Sequence, residues 1–219
     1  MEFYNTIAKT THKWILGENS VKSCIEYLKA GKPIIVVDDD DRENEGDLII
    51  AGEDTTPEIV ALFLKITSGV ICCAIPENTA SSLKLSRMYS NSKDPNNTAF
   101  TTSIDYNLSG VTTGISARDR SITIKALTND FDPEHYRQPG HIFPLVAKEN
   151  GVLERLGHTE ATIDIMRLSG KKLCGTLCEI VSRDKITMSK MDELEVISKE
   201  MDIPITSIQD IICYKIIHA

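Results

Sequence analysis

The strongest constraint on the fold is the run Pro33-Ile-Ile-Val-Val37, where apolar residues stand at successive positions instead of alternating with polar ones. A strand of that kind is buried on both faces and has to be covered from both sides. Leu48-Ile-Ile-Ala51 and Val70–Ile75 have the same character, and Thr101–Tyr106, His141–Ala147, Thr176–Val181 and Ile203–Thr206 complete the strand set. The covering elements lie between them. Ser20 is read as the cap of a helix with Val21, Ile25 and Leu28 on one face and Gly31 at its end. Thr56-Pro57-Glu58 combines a hydroxyl cap, a proline at the first position and an acid in the first turn. Pro76–Leu85 reads as a short helix, and Ser116-Ala-Arg-Asp119 has capping-box spacing for a helix reaching about Leu127. Thr159–Leu168, closed by Gly170, Ser189–Met201 and Ser207–Ile217 read as the remaining helices, with polar loops over 86–99 and 128–140. There is no Pro/Gly/Ser-rich linker and no internal repeat. The pattern predicts one α/β (α+β) domain over residues 1–219, a mixed β-sheet flanked by helices in three layers.

Composition narrows the class. At 41% apolar and 26% charged residues the chain excludes disorder, collagen and coiled coil. Its longest apolar stretch, Val70–Pro76, is too short to span a bilayer, and Met1–Ser20 lacks the pattern of a secretory signal. A cytoplasmic protein with no membrane partner is expected. The six cysteines form no zinc spacing, since Cys174-x-x-x-Cys178 has no second pair, so reduced, buried thiols are expected.

Of the net charge of −8, most resides in Asp38–Asp47, which reads D-D-D-D-R-E-N-E-G-D. The rest of the chain is nearly balanced and has no basic stripe, which argues against a nucleic-acid partner. The acidic knot falls between two strands, where open α/β sheets bind ligands. Alternation would put Asp41, Glu43, Glu45 and Asp47 on one side of an extended segment, and oxygen clusters of that kind suit Mg²⁺ or Mn²⁺. An EF-hand does not fit: with Gly46 at loop position six, position twelve is Gly52. A solvated acidic turn is the competing reading.

Three further places carry chemistry. His158 opens a helix after Gly157, with Arg155 three residues upstream, and a helix start of this kind suits a phosphate or carboxylate. His158 itself could be a metal ligand, a base or a cap. His141 follows a glycine at a strand start, and a packed core histidine is its alternative. Glu179 stands among Leu177, Cys178, Ile180 and Val181, where an acid must find a partner or hold its proton. A strand-edge salt bridge is the alternative there. Ser109–Gly114, rich in Gly and Thr, could hold a phosphate or make a turn, and no Walker A or GxGxxG pattern occurs.

In order along the chain stand D-D-R-E-N-E-G-D at 40–47, S-G-V-I-C at 68–72, G-V-T-T-G-I-S-A-x-D-R at 110–120, P-G-H-I-F-P-L at 139–145, G-H-T-E-A-T-I-D at 157–164 and C-E at 178–179. Together they closely resemble the 3,4-dihydroxy-2-butanone 4-phosphate synthases of riboflavin biosynthesis, over about Ser20 to Tyr214. The resemblance implies a lyase that converts D-ribulose 5-phosphate into L-3,4-dihydroxy-2-butanone 4-phosphate and formate, with Mg²⁺ (or Mn²⁺) at sites formed in a homodimer. The route it implies is enolisation, dehydration, skeletal rearrangement and formate loss. It implies Glu43 and His158 as metal ligands, and Arg42, Glu43, Asp47, Arg155, Leu156, Gly157, His158, Thr159 and Glu179 at the substrate. His141 and Glu179 would carry the proton transfers. Leu156 stands where a second glycine is common, and Asp40 where Glu is common. Some family members carry a fused GTP cyclohydrolase II domain, for which 219 residues leave no room. Two other classes compete: a non-catalytic nucleotide- or RNA-binding relative of the same fold, and a Mg²⁺-dependent sugar phosphatase.

Overall fold

The computed structural model describes residues 14–89 and 93–218. Residues 90–92 of the 86–99 loop, and most of the Met1–Ser20 segment read for a signal, lie outside the described residues.

The apolar runs form one seven-stranded mixed sheet. In chain order the strands are β1 (Ile34–Val37), β2 (Gly46–Ala51), β3 (Cys72–Ile75), β4 (Ile104–Tyr106), β5 (Tyr136–Val146), β6 (Gly175–Glu179) and β7 (Ile205–Ser207). Their spatial order is β4-β5-β3-β6-β2-β1-β7, with β3–β5 and β1–β7 parallel and the other pairs antiparallel. The helices are α1 (Glu18–Lys29), α2 (Pro57–Ile66), α3 (Glu77–Ser82), α4 (Ala117–Ala126), α5 (His158–Leu168), α6 (Met191–Met201) and α7 (Ile208–Ile217).

Both faces of the central strands are covered, as consecutive apolar residues require. Ile35, Val37, Leu48 and Ile50 pack with Val60 and Phe63 of α2, Ile124 of α4 and Leu194 of α6. Ile34, Val36, Ile49 and Ala51 pack on the other side with Val21 and Leu28 of α1, Ile163 and Ile165 of α5 and Ile211 of α7. This is the expected three-layer α/β architecture. Thr56 caps α2 as expected, accepting from Ile59 N–H at 3.3 Å, and Ser116 caps α4 through Asp119 N–H at 3.0 Å.

Most element ends shift by one to three residues from the sequence reading, β4 for example starting at Ile104 and not Thr101, and two differences change contacts. Ser20 is not a cap: α1 begins at Glu18 after Gly17, whose φ of 88° lies in the left-handed region. The Ser20 hydroxyl instead lies 2.7 Å from both Gly17 O and Thr206 Oγ1, tying α1 to β7. The second difference is β5, which starts at Tyr136, inside the segment read as a loop. Its pairing with β4 jumps from Arg137 opposite Asp105 to Ile142 opposite Ile104, so residues 138–141 form a wide bulge. A bulge accommodates Pro139, which cannot donate to a ladder, and this is why the proline did not end the strand.

Candidate active site

The acidic knot is a built turn. Asp38, buried at the end of β1, accepts from Glu45 N–H at 2.8 Å through Oδ1, and from Glu43 N–H and Arg42 Nη1 at 2.9 Å through Oδ2. Asn44 takes a left-handed conformation, and its N–H and that of Arg42 reach Asp39 O. The segment is therefore coiled around Asp38 instead of extended. Glu43, Glu45 and Asp47 still face one cavity, while Asp41 turns to a groove on the other side of the loop.

That cavity, of about 250 Å³, lies where several elements end together. Asp47 of β2 pairs with Glu179 of β6, placing two carboxylates side by side at the sheet end, and Cys72 of β3 pairs with Leu177. The α5 start brings His158 and Thr159, and Arg42, Arg155, Asp94 and Thr98 close the walls. Glu179 finds its partner in Ser68, whose hydroxyl donates to Oε2 at 2.7 Å. The Cys72 thiol at the wall is pushed up by burial.

His158 is the electrostatic centre. Its Nδ1 lies 3.6 Å from Glu43 Oε2 and 3.9 Å from Asp47 Oδ1. Burial alone would lower its pKa, but Asp47, Glu43 and Asp38 override that and raise it to about 9. His158, with Arg42 beside it, in turn holds Glu43 down to about 2 against the effect of burial. Asp47 goes the other way, up to about 7, because burial and the nearby Glu179, Glu43 and Glu45 outweigh His158. Two buried atoms here, His158 Nε2 and Asp47 Oδ1, have no hydrogen-bond partner. Buried polar atoms are rarely left so, and each asks for a ligand. Asp38, Glu43 and His158 each offer one ligand atom, all within 4.8 Å of one another, which suits a divalent cation with mixed oxygen and nitrogen ligation.

Arg155 is held in place before any ligand arrives. Its Nη1 lies 2.6 Å from Glu160 Oε2, Nε donates to Asn96 O at 3.0 Å, and Nη2 to Thr98 Oγ1 at 3.1 Å. Asn96 also donates to Glu43 Oε1 at 2.7 Å, so one loop bridges the acidic knot and the guanidinium. Gly157, the N-cap of α5, has no space for a Cβ, which would collide with the Arg155 guanidinium.

Of the expected residues, the fold brings Arg42, Glu43, Asp47, Arg155, His158, Thr159 and Glu179 to the cavity, with Gly157 directly behind. Two are placed elsewhere. Leu156, 48% exposed, lines the groove beyond the acidic turn with Trp14 and Ile208. His141 lies in the β5 bulge against Asp105 and not on the cavity wall. Sequence reasoning passed over Asp38 as an organiser, Glu160 as the counter-ion of Arg155, and Asn96 and Thr98. A signal for the last two existed in D-P-N-N-T: Asp94 accepts from Asn96 N–H at 3.0 Å and Thr98 N–H at 2.7 Å, a turn chemistry readable from its residue types. Ser109–Gly114 is a turn away from the cavity, and all six cysteines are buried and unpaired.

Residues 22–214 match the 3,4-dihydroxy-2-butanone 4-phosphate synthase family. The chain belongs to this family. The resemblance carried by the ordered motifs is thereby borne out. The 3,4-dihydroxy-2-butanone 4-phosphate synthase of Pelobacter propionicus is 42% identical over 207 residues, covering 94% of this chain and 88% of the relative. Riboflavin biosynthesis protein RibBA of Cytophaga hutchinsonii is 47% identical over 201 residues, 91% of this chain. The chain spans about half the length of the RibBA relatives, 49% in that case. A crystal structure of 3,4-dihydroxy-2-butanone 4-phosphate synthase in complex with two magnesium ions superimposes with a TM-score of 0.84 at 36% identity, covering 89% of this chain and 95% of that one. Among the described residues no helix is long and apolar enough to cross a membrane.

Proposed function

We propose that this chain converts D-ribulose 5-phosphate into L-3,4-dihydroxy-2-butanone 4-phosphate and formate, in riboflavin biosynthesis. The observation that carries the reading is the cavity itself. Residues from five of the six family motifs converge on it, and two buried polar atoms in it lack partners. The donor set fits a divalent cation, Mg²⁺ with Mn²⁺ as its substitute, held by Glu43 and His158 with Asp38 beside them. When bound, such an ion supplies Lewis-acid stabilisation of negative charge developing on substrate oxygens.

The chain's own residues account for the rest. Arg155 and Thr159 at the start of α5 offer a fixed guanidinium, a hydroxyl and free helix N–H groups to a phosphate. Arg42 bridges Asp38 and Glu43 and offsets the repulsion between these neighbouring carboxylates. Asp47, titrating near neutrality, and Glu179, held by Ser68, stand in register as a pair of groups that exchange protons with substrate carbons and oxygens. A homodimer and a proton-transfer role for His141 belong to the same reading, supported by the family resemblance; His141, half-buried in the β5 bulge and off the cavity wall of its own chain, would then serve a second copy's cavity. Cytoplasmic residence is part of the same reading and is supported by six buried thiols, none of them paired.

The test is a product assay on purified protein with ribulose 5-phosphate and Mg²⁺. Formate, with phosphate retained on the product, is the expected result. Release of inorganic phosphate would mean a phosphatase, and neither product would mean a non-catalytic relative. Sedimentation at micromolar concentration is expected to give a dimer; a fully active species of about the 24.3 kDa chain mass would refute the dimer.

A further inference from the structure

The turn Asp94-Pro-Asn-Asn-Thr98 stands outside all six family motifs, yet it bonds to both Glu43 and Arg155 in the cavity. It is held by its own residues. Asp94 accepts from Asn96 N–H at 3.0 Å and from Thr98 N–H at 2.7 Å, and Asn97, in the left-handed region, donates its N–H to Asp94 O at 3.0 Å. The stretch that follows is laced to β5, where Val146 N–H donates to Ala99 O at 3.1 Å and Thr101 N–H to Pro144 O at 3.0 Å. A turn tied at so many points presents its outward groups at fixed positions.

Those groups serve two different partners. The Asn96 side chain meets Glu43 Oε1 at 2.7 Å, and because a carboxylate only accepts, the amide nitrogen is the atom at that contact. The other carboxylate oxygen, Glu43 Oε2, meets Arg42 Nη1 and lies 3.6 Å from His158 Nδ1. Glu43 is therefore fixed in rotation, with one oxygen bound to the turn and the other turned to His158. Arg155 is held by the backbone and by Thr98 instead: its Nε donates to Asn96 O at 3.0 Å and its Nη2 to Thr98 Oγ1 at 3.1 Å. One short turn thus separates its two contacts by atom, the Asn96 amide for the acidic turn, and the Asn96 carbonyl with the Thr98 hydroxyl for the guanidinium.

We propose that Asn96 is a positioning residue for Glu43, orienting its carboxylate for a divalent cation, and that Thr98 of the same turn independently positions Arg155 for the substrate phosphate. This rests on the reading of Glu43 as a cation ligand and of Arg155 as the phosphate anchor. Groups that hydrogen-bond a ligating carboxylate fix its orientation, and their removal typically weakens metal binding by about 10–100-fold. Truncating the Asn96 side chain takes away that bond and leaves its carbonyl on Arg155. Replacing the Thr98 hydroxyl by a methyl takes away one bond to the guanidinium and leaves the Asn96 amide on Glu43. The two substitutions therefore have opposite signatures.

Mn²⁺ binding without substrate, followed by the electron paramagnetic resonance of the free ion, tests the first half apart from turnover. Asn96→Ala should weaken Mn²⁺ by about 10–100-fold, and Thr98→Val by less than about twofold, each with a native circular dichroism spectrum. Steady-state kinetics test the second half. Raised Mg²⁺ should restore kcat of Asn96→Ala to within about threefold of wild type, whereas Thr98→Val should keep a KM for ribulose 5-phosphate about fivefold or more above wild type at any Mg²⁺ concentration. Wild-type Mn²⁺ affinity in Asn96→Ala, an equal loss of Mn²⁺ affinity in Thr98→Val, or a wild-type KM in Thr98→Val overturns the proposal. Glu43→Gln, measured alongside, separates this from a failure of the reading beneath it: undiminished Mn²⁺ binding in Glu43→Gln would overturn Glu43 as a ligand and the proposal with it, while a loss there beside wild-type binding in Asn96→Ala overturns the role of Asn96 alone.

Discussion

Neutralising Glu160 gives the sharpest test of how the anion end of the cavity is built. Its side chain is 1% exposed, its Oε2 lies 2.6 Å from Arg155 Nη1, and its Oε1 accepts from Lys148 N–H at 3.1 Å. Glu160→Gln is isosteric and can keep the Lys148 bond, so only the charge on the Arg155 contact is lost. Breaking a fully buried ion pair costs about 3–5 kcal/mol. Arg155 is 15% exposed along a cavity wall and keeps its bonds to Asn96 O and Thr98, so the loss is nearer that of one charged hydrogen bond, about 2 kcal/mol. Urea unfolding should show the midpoint falling with the slope unchanged, and Tm should fall by about 4–8 °C for a chain of this size. Stability within about 0.5 kcal/mol of wild type would mean that desolvation cancels the attraction, and the pair would not be what holds Arg155 in place.

Other outcomes follow from the same geometry. Gly157→Ala should displace the Arg155 guanidinium and raise KM for the sugar phosphate far more than it lowers stability, as steady-state kinetics beside thermal unfolding will show. Because Asp47, Glu43 and Asp38 raise His158 to about 9 despite burial, a cation ligated there must displace a proton. Mg²⁺ affinity should therefore increase from pH 7 toward 9 with net proton release, measured by calorimetry in buffers of different ionisation enthalpy; a pH-independent affinity would refute it. Away from the site, Asp130 raises the pKa of His135, so that contact adds stability below the ordinary value of 6.5 and loses it as pH rises through the elevated folded value. Asp130→Asn should flatten that part of the stability–pH curve.

The legible parts of the fold were those set by local rules. Consecutive apolar residues at 34–37 and 48–50 demanded cover on both faces, and Thr56-Pro57 and Ser116 carried their helix starts in their own side chains. What failed depended on partners far along the chain. The Ser20 hydroxyl is tied to Gly17 O and to the Thr206 hydroxyl far along the chain, and β5 begins at Tyr136 only because β4 tolerates a bulge around Pro139. The cavity followed the same division. Glu43, Asp47, His158 and Glu179 announced themselves as acids or imidazole beside apolar strands and a helix start. Asp38 was one acid among seven until its position at the end of β1 gave it three donors. Glu160 looked like an ordinary first-turn acid, since nothing local shows that Arg155 folds back onto it.

The central claim is that the Glu43–His158 cluster holds the cation on which conversion depends. Formate release from ribulose 5-phosphate, followed across a Mg²⁺ titration in wild type, Glu43→Gln and His158→Ala, tests it most directly. Saturable release in wild type, none after EDTA, and none in either variant while circular dichroism stays native is the expected result. Wild-type formate release in Glu43→Gln, or release that survives EDTA, would contradict the account and leave the acidic turn a solvated loop.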